Sequence, residues 1–206
     1  LPSTVKTIDS YAFVACHYLP EIDLPSGLRN IRAGAFMSCS TLQRLVLPDT
    51  LESFDPSAVS TATSRDTMAL EDIIVSEGNQ YFCDVDGVLF DIEKQNLIRF
   101  PTGRSGTYAV PEGTRRIGDN AFRDCSSLTS IVIPKGVTSI GDAAFSSCQF
   151  LKSARGLEGV KSIGARAFER CTLLKDVSLP EGLEKIGSAA FGSCVSLKEI
   201  TIPSSI

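Results

Sequence analysis

A twelve-residue stretch, residues 140–151, recurs along this chain every 23 residues. It returns as residues 117–128, 163–174 and 186–197, with two looser copies at 8–19 and 31–42. Phe122, Phe145, Phe168 and Phe191 are 23 positions apart, as are Phe13 and Phe36. Three positions after each stands a cysteine: Cys16, Cys39, Cys125, Cys148, Cys171 and Cys194. A fixed period of this length means a solenoid, in which each coil buries its apolar face only against its neighbours. The core of such a chain is a line, so the 206 residues do not count domains as they would in a globular protein.

Within a coil two spacings alternate. Ile131-Val132-Ile133 reads as a short strand ended by Pro134, which cannot donate to a ladder. Ala144, Phe145, Cys148 and Leu151 stand at the spacing of one helical face, so a short helical turn is expected there, capped by Asp119 or Asp142. The fold class expected is therefore an α/β-type repeat solenoid, with one short strand and one short helical turn per coil and a curved parallel sheet. Gly118, Gly141, Gly164 and Gly187 share one coil position, where the first two coils carry Asp9 and Arg32. An arginine there argues for close packing rather than a left-handed backbone.

The chain reads as one continuous array, residues 1–206, with regular coils at 1–47 and 111–206. Coil 48–75 is irregular: Ala58-Val59 stand where an Ala-Phe pair belongs, and the strand at 70–75 arrives five residues late. The polar run 60–67 reads as a surface loop. Residues 76–110 lack both the phenylalanine and the cysteine positions and read as a hairpin-bearing insertion, with Val88-Leu89-Phe90 and Leu97-Ile98-Arg99-Phe100 flanking residues 91–96; a domain boundary is the alternative. Tyr108-Ala109-Val110-Pro111 then rejoins the register. In the next-to-last coils Ala154-Arg155-Gly156-Leu157 replaces the apolar strand and its proline, so that strand is expected to be weak but in period. Leu1 falls inside a repeat and the chain stops inside another, so a longer array is expected.

The composite of these coils closely resembles the BspA-like family of leucine-rich repeats. The residues carrying it are Ile133-Pro134, Gly136-Val137, Ile140-Gly141, Ala144-Phe145, Cys148 and Leu151, with their counterparts in neighbouring coils. Val85-Asp86-Gly87-Val88-Leu89-Phe90 followed by Leu97-Ile98-Arg99-Phe100-Pro101 also looks like a segment that recurs in such proteins. The resemblance covers essentially the whole chain. It implies a curved solenoid from a secreted or surface protein of bacteria, often host-associated ones, or of parasitic protists. It implies adhesion and the binding of host or microbial proteins, and it brings no catalytic residues with it.

Candidate chemistry is thin. Seven cysteines could frame disulfides, but six are generated by the repeat and read as small buried side chains stacked along the core; Cys83 stands outside them. His17 follows Cys16, yet adjacent residues of a turn do not face each other, so a nucleophile-base pair is not expected. A zinc site lacks a second histidine and a paired-cysteine motif. Asp84-Val85-Asp86-Gly87 matches the first half of a calcium loop, but its twelfth position falls on Gln95, with Glu93 out of place; turn residues of a hairpin explain Asp86-Gly87 more simply. No phosphate-binding, nucleophile-elbow or zinc-protease motif occurs. The net charge of −4 and pI near 5.1 exclude a basic footprint for nucleic acid, and no apolar run reaches the ~18 residues of a membrane span.

What remains is the strand-bearing face. Its outward positions are Asp23, Val46, Ile74, Val132, Arg155, Ser178 and Thr201, and one step earlier Glu21, Arg44, Asp72, Ser130, Ser153, Asp176 and Glu199. Val46, Ile74 and Val132 would make a small apolar patch if their coils were adjacent, and exposed apolar clusters mark interaction sites; β-branched residues that simply suit strands explain them equally well. The function expected is a non-enzymatic, cofactor-free cell-surface or secreted module that binds protein partners, extracellular-matrix or microbial surface proteins, through this face. The alternative is a stalk or spacer presenting a recognition domain that lies elsewhere.

Overall fold

The computed structural model describes residues 1–62 and 68–206. Of the loop expected at 60–67, residues 63–67 lie outside the described residues. By its internal packing the chain falls into two compact units, residues 1–94 with 99–104, and residues 95–98 with 105–206. Both are built from stacked coils.

In the first unit Thr7–Ile8, Asn30–Ile31 and Ser53–Phe54 pair as a parallel ladder, and Arg44–Leu47 pairs in parallel with Asp72–Val75. Arg44 meets Asp72, five positions beyond the repeat, as the late strand required. In the second unit one ladder runs from Asn96-Leu97 through Arg116–Ile117, Ser139–Ile140 and Ser162–Ile163 to Lys185–Ile186, every pairing parallel. A second sheet joins Gly106–Ala109, Leu128–Val132 and Ser153–Arg155. Tyr108 lies opposite Ile131, so the chain does rejoin register after the insertion.

The expected helical turn takes another form. In residues 118–128 the N–H groups of Ala121, Arg123 and Cys125 donate to Gly118, Asn120 and Phe122, three residues back. The N–H groups between them, on Asn120, Phe122 and Asp124, donate to Asp142, Ala144 and Ser146 of the next coil. The segment is thus a row of tight turns whose alternate donors tie one coil to the next, and there is no α-helix among the described residues. This needs a left-handed residue two before and two after each phenylalanine: Asn120 and Asp124, Ala143 and Ser147, Arg166 and Arg170, Ala189 and Ser193, with φ between 51° and 64°. Such a backbone costs a non-glycine residue about 1–2 kcal/mol, and the hydrogen bonds on both sides hold it there. A row of turns and a helix both carry Ala144, Phe145, Cys148 and Leu151 inward, and all four are fully buried. The spacing therefore identified the core residues but not the backbone between them.

Asp119 and Asp142 do not cap their own coils. The Asp119 carboxylate accepts the N–H of Asp142, and the Asp142 carboxylate that of Ala165, 3.1 and 2.7 Å away in the next coil. The repeated glycine beside them is a packing residue: none of Gly118, Gly141, Gly164 and Gly187 has positive φ. A Cβ on Gly118 would lie 2.9 Å from the Leu97 carbonyl oxygen, and one on Gly164 would lie 2.5 Å from the Gly141 carbonyl carbon. Where Asp9 and Arg32 take that place they form an exposed ion pair at 3.2 Å.

Two columns stand out in the core of each unit. The rings of Phe122, Phe145, Phe168 and Phe191 stack at 4.8, 4.9 and 5.2 Å between centroids, within 12° of parallel, and Phe13 stacks on Phe36 at 5.5 Å. Beside the rings runs the cysteine column, all free thiols, as is Cys83. The irregular coil keeps the scheme: Ala58 and Val59 are buried in a short 3-10 helix, Pro56–Val59, capped by Asp55. The carbonyl of Ala58 still accepts from the Phe36 N–H.

In residues 76–110 the strands expected around Leu89 and Ile98 are present as Val88–Asp91 and Asn96–Arg99. An antiparallel hairpin pairs Phe82–Val85 with Val88–Asp91. Its two-residue turn is Asp86-Gly87, both at positive φ (51° and 70°), the turn whose twist matches that of the strands. Asn79, which the repeat does not single out, is buried at the base. Its amide donates to the carbonyls of Pro48 and Leu51, and its carbonyl accepts from the N–H groups of Tyr81 and Phe82.

Candidate functional site: the strand-bearing face

Alternation along a strand decides which side chains leave the core. In the Arg44–Leu47 strand Leu45 and Leu47 are buried while Arg44 and Val46 are exposed. Ile131 is buried and Val132 exposed in Leu128–Val132. All seven predicted outward residues face away from the core: Asp23, Val46, Val132, Arg155, Ser178 and Thr201 are exposed, and Ile74 is half-buried.

Their neighbours differ from the patch drawn on sequence. Val46 pairs with Ile74, giving one apolar pair in the first unit. In the second unit Val132 stands between Ala109 and Arg155, so its coil neighbours are a small residue and a charged one. Val46 and Val132 are nonetheless 44% and 42% exposed, more than a strand valine needs for packing. Asp23, Ser178 and Thr201 lie outside paired strands. Asp23 lines a small cleft of about 320 Å³ with Ile22, Leu24 and Val46 among others. Ser178 and Thr201 line a larger one beside Arg155.

The column one step earlier is polar and internally bonded. Arg44 and Arg104 both reach the Asp72 carboxylate, at 3.7 and 2.8 Å, and the Arg104 guanidinium also donates to the Glu71 carbonyl. The hydroxyls of Ser130 and Ser153 are 2.9 Å apart. These residues hold one another, whereas the Arg155 side chain has no ion-pair partner among the described residues.

The other candidates resolve into structural roles. The Asp84 carboxylate accepts from the backbone N–H groups of Val75 and Gly87, which fixes the hairpin and occupies both oxygens. His17 is exposed and lies 3.4 Å from the Ser40 hydroxyl. The thiols of Cys39, Cys148, Cys171 and Cys194 donate to phenylalanine carbonyls of the preceding coil at 3.0–3.1 Å. Burial pushes Cys39 up to about 11 and raises Cys83, Cys148, Cys171 and Cys194 as well. These are the opposite of activated thiols. Among the described residues no group of three or more His, Cys, Asp or Glu side chains could hold a metal ion, and no helix is long and apolar enough to cross a membrane.

Comparison with known proteins agrees with this architecture. The family model described as the BspA type leucine rich repeat region matches the chain in six copies, over residues 1–97 and 105–206. The pneumococcal vaccine antigen PcpA is similar over 100% of this chain and 50% of its own, with 27% sequence identity and a TM-score of 0.86. A leucine rich cell surface protein from Faecalibacterium prausnitzii A2-165 is similar over 100% of this chain and 53% of its own, with 27% identity and a TM-score of 0.81. The chain thus spans about half the length of either structure. No curated protein matches it.

Proposed function

We propose that this chain, which belongs to the BspA-type leucine-rich repeat family, is a non-enzymatic, protein-binding part of a cell-surface or secreted protein. Its recognition surface is the strand-bearing face. The observation that carries this reading is the contrast within that face. Asp72, Ser130 and Ser153 are tied to neighbours, while Val46, Val132 and Arg155 stand exposed and unengaged at equivalent positions of their coils. Apolar area open to water beside a cation that has no ion-pair partner among the described residues gives a partner both burial and a charge to match. One similar structure is a vaccine antigen and the other a cell surface protein, which supports an extracellular setting. Matrix proteins and surface proteins of other microbes are the partner classes.

The test is a surface-plasmon binding panel of matrix proteins and microbial surface proteins against this chain and its Val132→Glu variant. Saturable binding that the folded variant loses supports the reading. Binding that Val132→Glu and Arg155→Ala both leave unchanged removes the face from consideration. A second reading draws on the chain's spanning only half of each similar structure. In it this array is a spacer and recognition lies in other parts of the protein. It predicts no binding by this chain alone to a panel that the longer protein does bind.

A further inference from the structure

The Ser153–Arg155 strand pairs on one side only. Towards the preceding coil it is complete, with Val132 opposite Arg155 and the Arg155 carbonyl accepting from Ile133 at 2.8 Å. Towards the following coil, contact stops at a single bridge between Ser153 and Asp176. The bonds that the repeat would continue, from Ser178 N–H to Ala154 carbonyl and from Gly156 N–H to Ser178 carbonyl, are not made. At Gly156 a φ of +84° turns the chain out of the strand and into a short 3-10 helix, Leu157–Gly159. A cleft of about 1230 Å³ opens here, lined by residues 153–158, by residues 175–180 and by Val195, Ser196 and residues 198–201 of the following coil.

Both inward positions of this strand are also reduced in size. Where the preceding coil has Ile131 and Ile133, this one has Ala154 and Gly156. Val177 and Leu179 of the following coil are half-buried, whereas Ile131 and Ile133 are buried. The Ala154 carbonyl and the Gly156 N–H, two residues apart, thus lack the bonds that the repeat would supply.

We propose that this cleft takes up an extended segment of a partner protein, added as a parallel strand beside Ser153–Arg155. The inference rests on reading the chain as a protein-binding module. The geometry specifies the guest. Its residue opposite Arg155 donates its N–H to the Ala154 carbonyl and accepts from the Gly156 N–H, the pair of bonds that a parallel neighbour makes. The residues before and after it point inward and are bulky and apolar, filling the space over Ala154 and Gly156, so that backbone bonds give affinity and alternate pockets give selectivity. The central residue faces outward with Arg155, whose side chain has no ion-pair partner among the described residues, and is acidic. The Ser153–Asp176 bridge closes one end of the cleft, so the guest enters from the other.

The probe is a fluorescein-labelled hexapeptide with two isoleucines flanking an aspartate, titrated by fluorescence anisotropy against the whole chain. Saturable binding below 1 mM is expected. It weakens at least tenfold when the aspartate amide is N-methylated, and at least tenfold in Ala154→Leu, compared at a temperature where circular dichroism shows that variant folded. A lysine in place of the aspartate weakens binding to the native chain and restores it in Arg155→Glu. Absence of saturable binding, or binding indifferent to both N-methylation and Ala154→Leu, overturns the proposal. So does self-association that Ala154→Leu abolishes without peptide binding, which would give the cleft to a second copy of this chain. Val46→Glu, whose strand pairs with Asp72–Val75 and not with Arg155, leaves peptide binding intact and Ala154→Leu leaves strand-face partners bound, so the two surfaces fail separately.

Discussion

The thiol of Cys148 donates a hydrogen bond to the carbonyl oxygen of Phe122, 3.0 Å away in the preceding coil. The same oxygen accepts the N–H of Cys125 at 3.1 Å, so one carbonyl takes a donor from its own coil and another from the next. Cys171 and Cys194 repeat the bond to Phe145 and Phe168. This explains cysteine at the position better than size does, because alanine would leave the acceptor half-used and serine would bring a more strongly hydrated hydroxyl into the core. The protonated form is the one that fits. Burial holds Cys39 up to about 11 against 9.0 for an ordinary thiol, and Cys148 and Cys171 are raised too.

A raised thiol pKa fixes the sign of an alkaline effect. The folded chain keeps protons that the unfolded chain releases, so stability is full below about pH 9 and is lost as pH rises towards 11, the value at Cys39. Each such thiol contributes a slope of about 1.4 kcal/mol per pH unit in that window. Differential scanning fluorimetry should show a melting temperature level below pH 8.5 and falling between pH 9 and 11, less steeply in Cys39→Ala. At pH 8.5 only on the order of 0.3% of Cys39 is thiolate, so iodoacetamide should reach the native column slowly. A flat profile to pH 11 would mean the column is open to water.

Phe145→Ala tests the ring column. Phe145 is fully buried between Phe122 and Phe168, with centroids 4.8 and 4.9 Å away. A one-dimensional core has no second layer to collapse into the space, so the cost should sit at the usual 3–5 kcal/mol for such a truncation. For a chain this long that is a drop of roughly 6–20 °C in the melting temperature. A shift under 2 °C would show that neighbouring coils close over the gap.

Phe145 also shows how far the sequence could be read. Its 23-residue recurrence announced a stacked, buried position, and that is independent of backbone detail, because any regular coil brings equivalent residues into register. The backbone was not legible, since the inward spacing of a row of turns resembles that of a helix. The left-handed residues Ala143 and Arg166 belong to types that avoid that conformation, so only the hydrogen bonds of the assembled coils place them there. Outward residues such as Val132 were legible by alternation, but their neighbours were not. The insertion puts the Gly106–Ala109 strand beside Leu128–Val132, and its pairing could not be counted from the repeat. Ala154 and Gly156 were visible as departures; the cleft they open depends on lost pairing, which side-chain identity does not reveal.

Asn79→Ala should be among the costliest polar substitutions in the chain. The buried amide satisfies four backbone groups of residues 48–82, and the alanine leaves them dry and unpaired. At about 1–3 kcal/mol for each buried group left unsatisfied, offset by any water that enters, the loss should exceed about 3 kcal/mol. The hairpin base should open first, so hydrogen exchange at Tyr81 and Phe82 should accelerate at least a hundredfold before the coils at 117–197 change. Equal acceleration in both regions would show that Asn79 acts on global stability alone.

Gly156→Ala and Gly182→Ala make the same chemical change in neighbouring coils and should differ in sign. Gly156 is held at φ +84°, and a Cβ on it would lie 2.9 Å from the Ile133 carbonyl carbon. The methyl meets backbone that cannot rotate aside, and it also carries the left-handed penalty of about 1 kcal/mol. Together these should cost at least about 2 kcal/mol. At Gly182 φ is not positive and nothing lies within 4 Å of a new Cβ, so the alanine only restricts the unfolded chain and should stabilise by about 0.4–1 kcal/mol. Melting temperatures should therefore fall by at least about 4 °C in the first variant and hold or rise slightly in the second. Equal shifts would mean that the turn at Gly156 is not fixed. The Ser153–Arg155 strand could then continue as its neighbours do, and the cleft beside it would close.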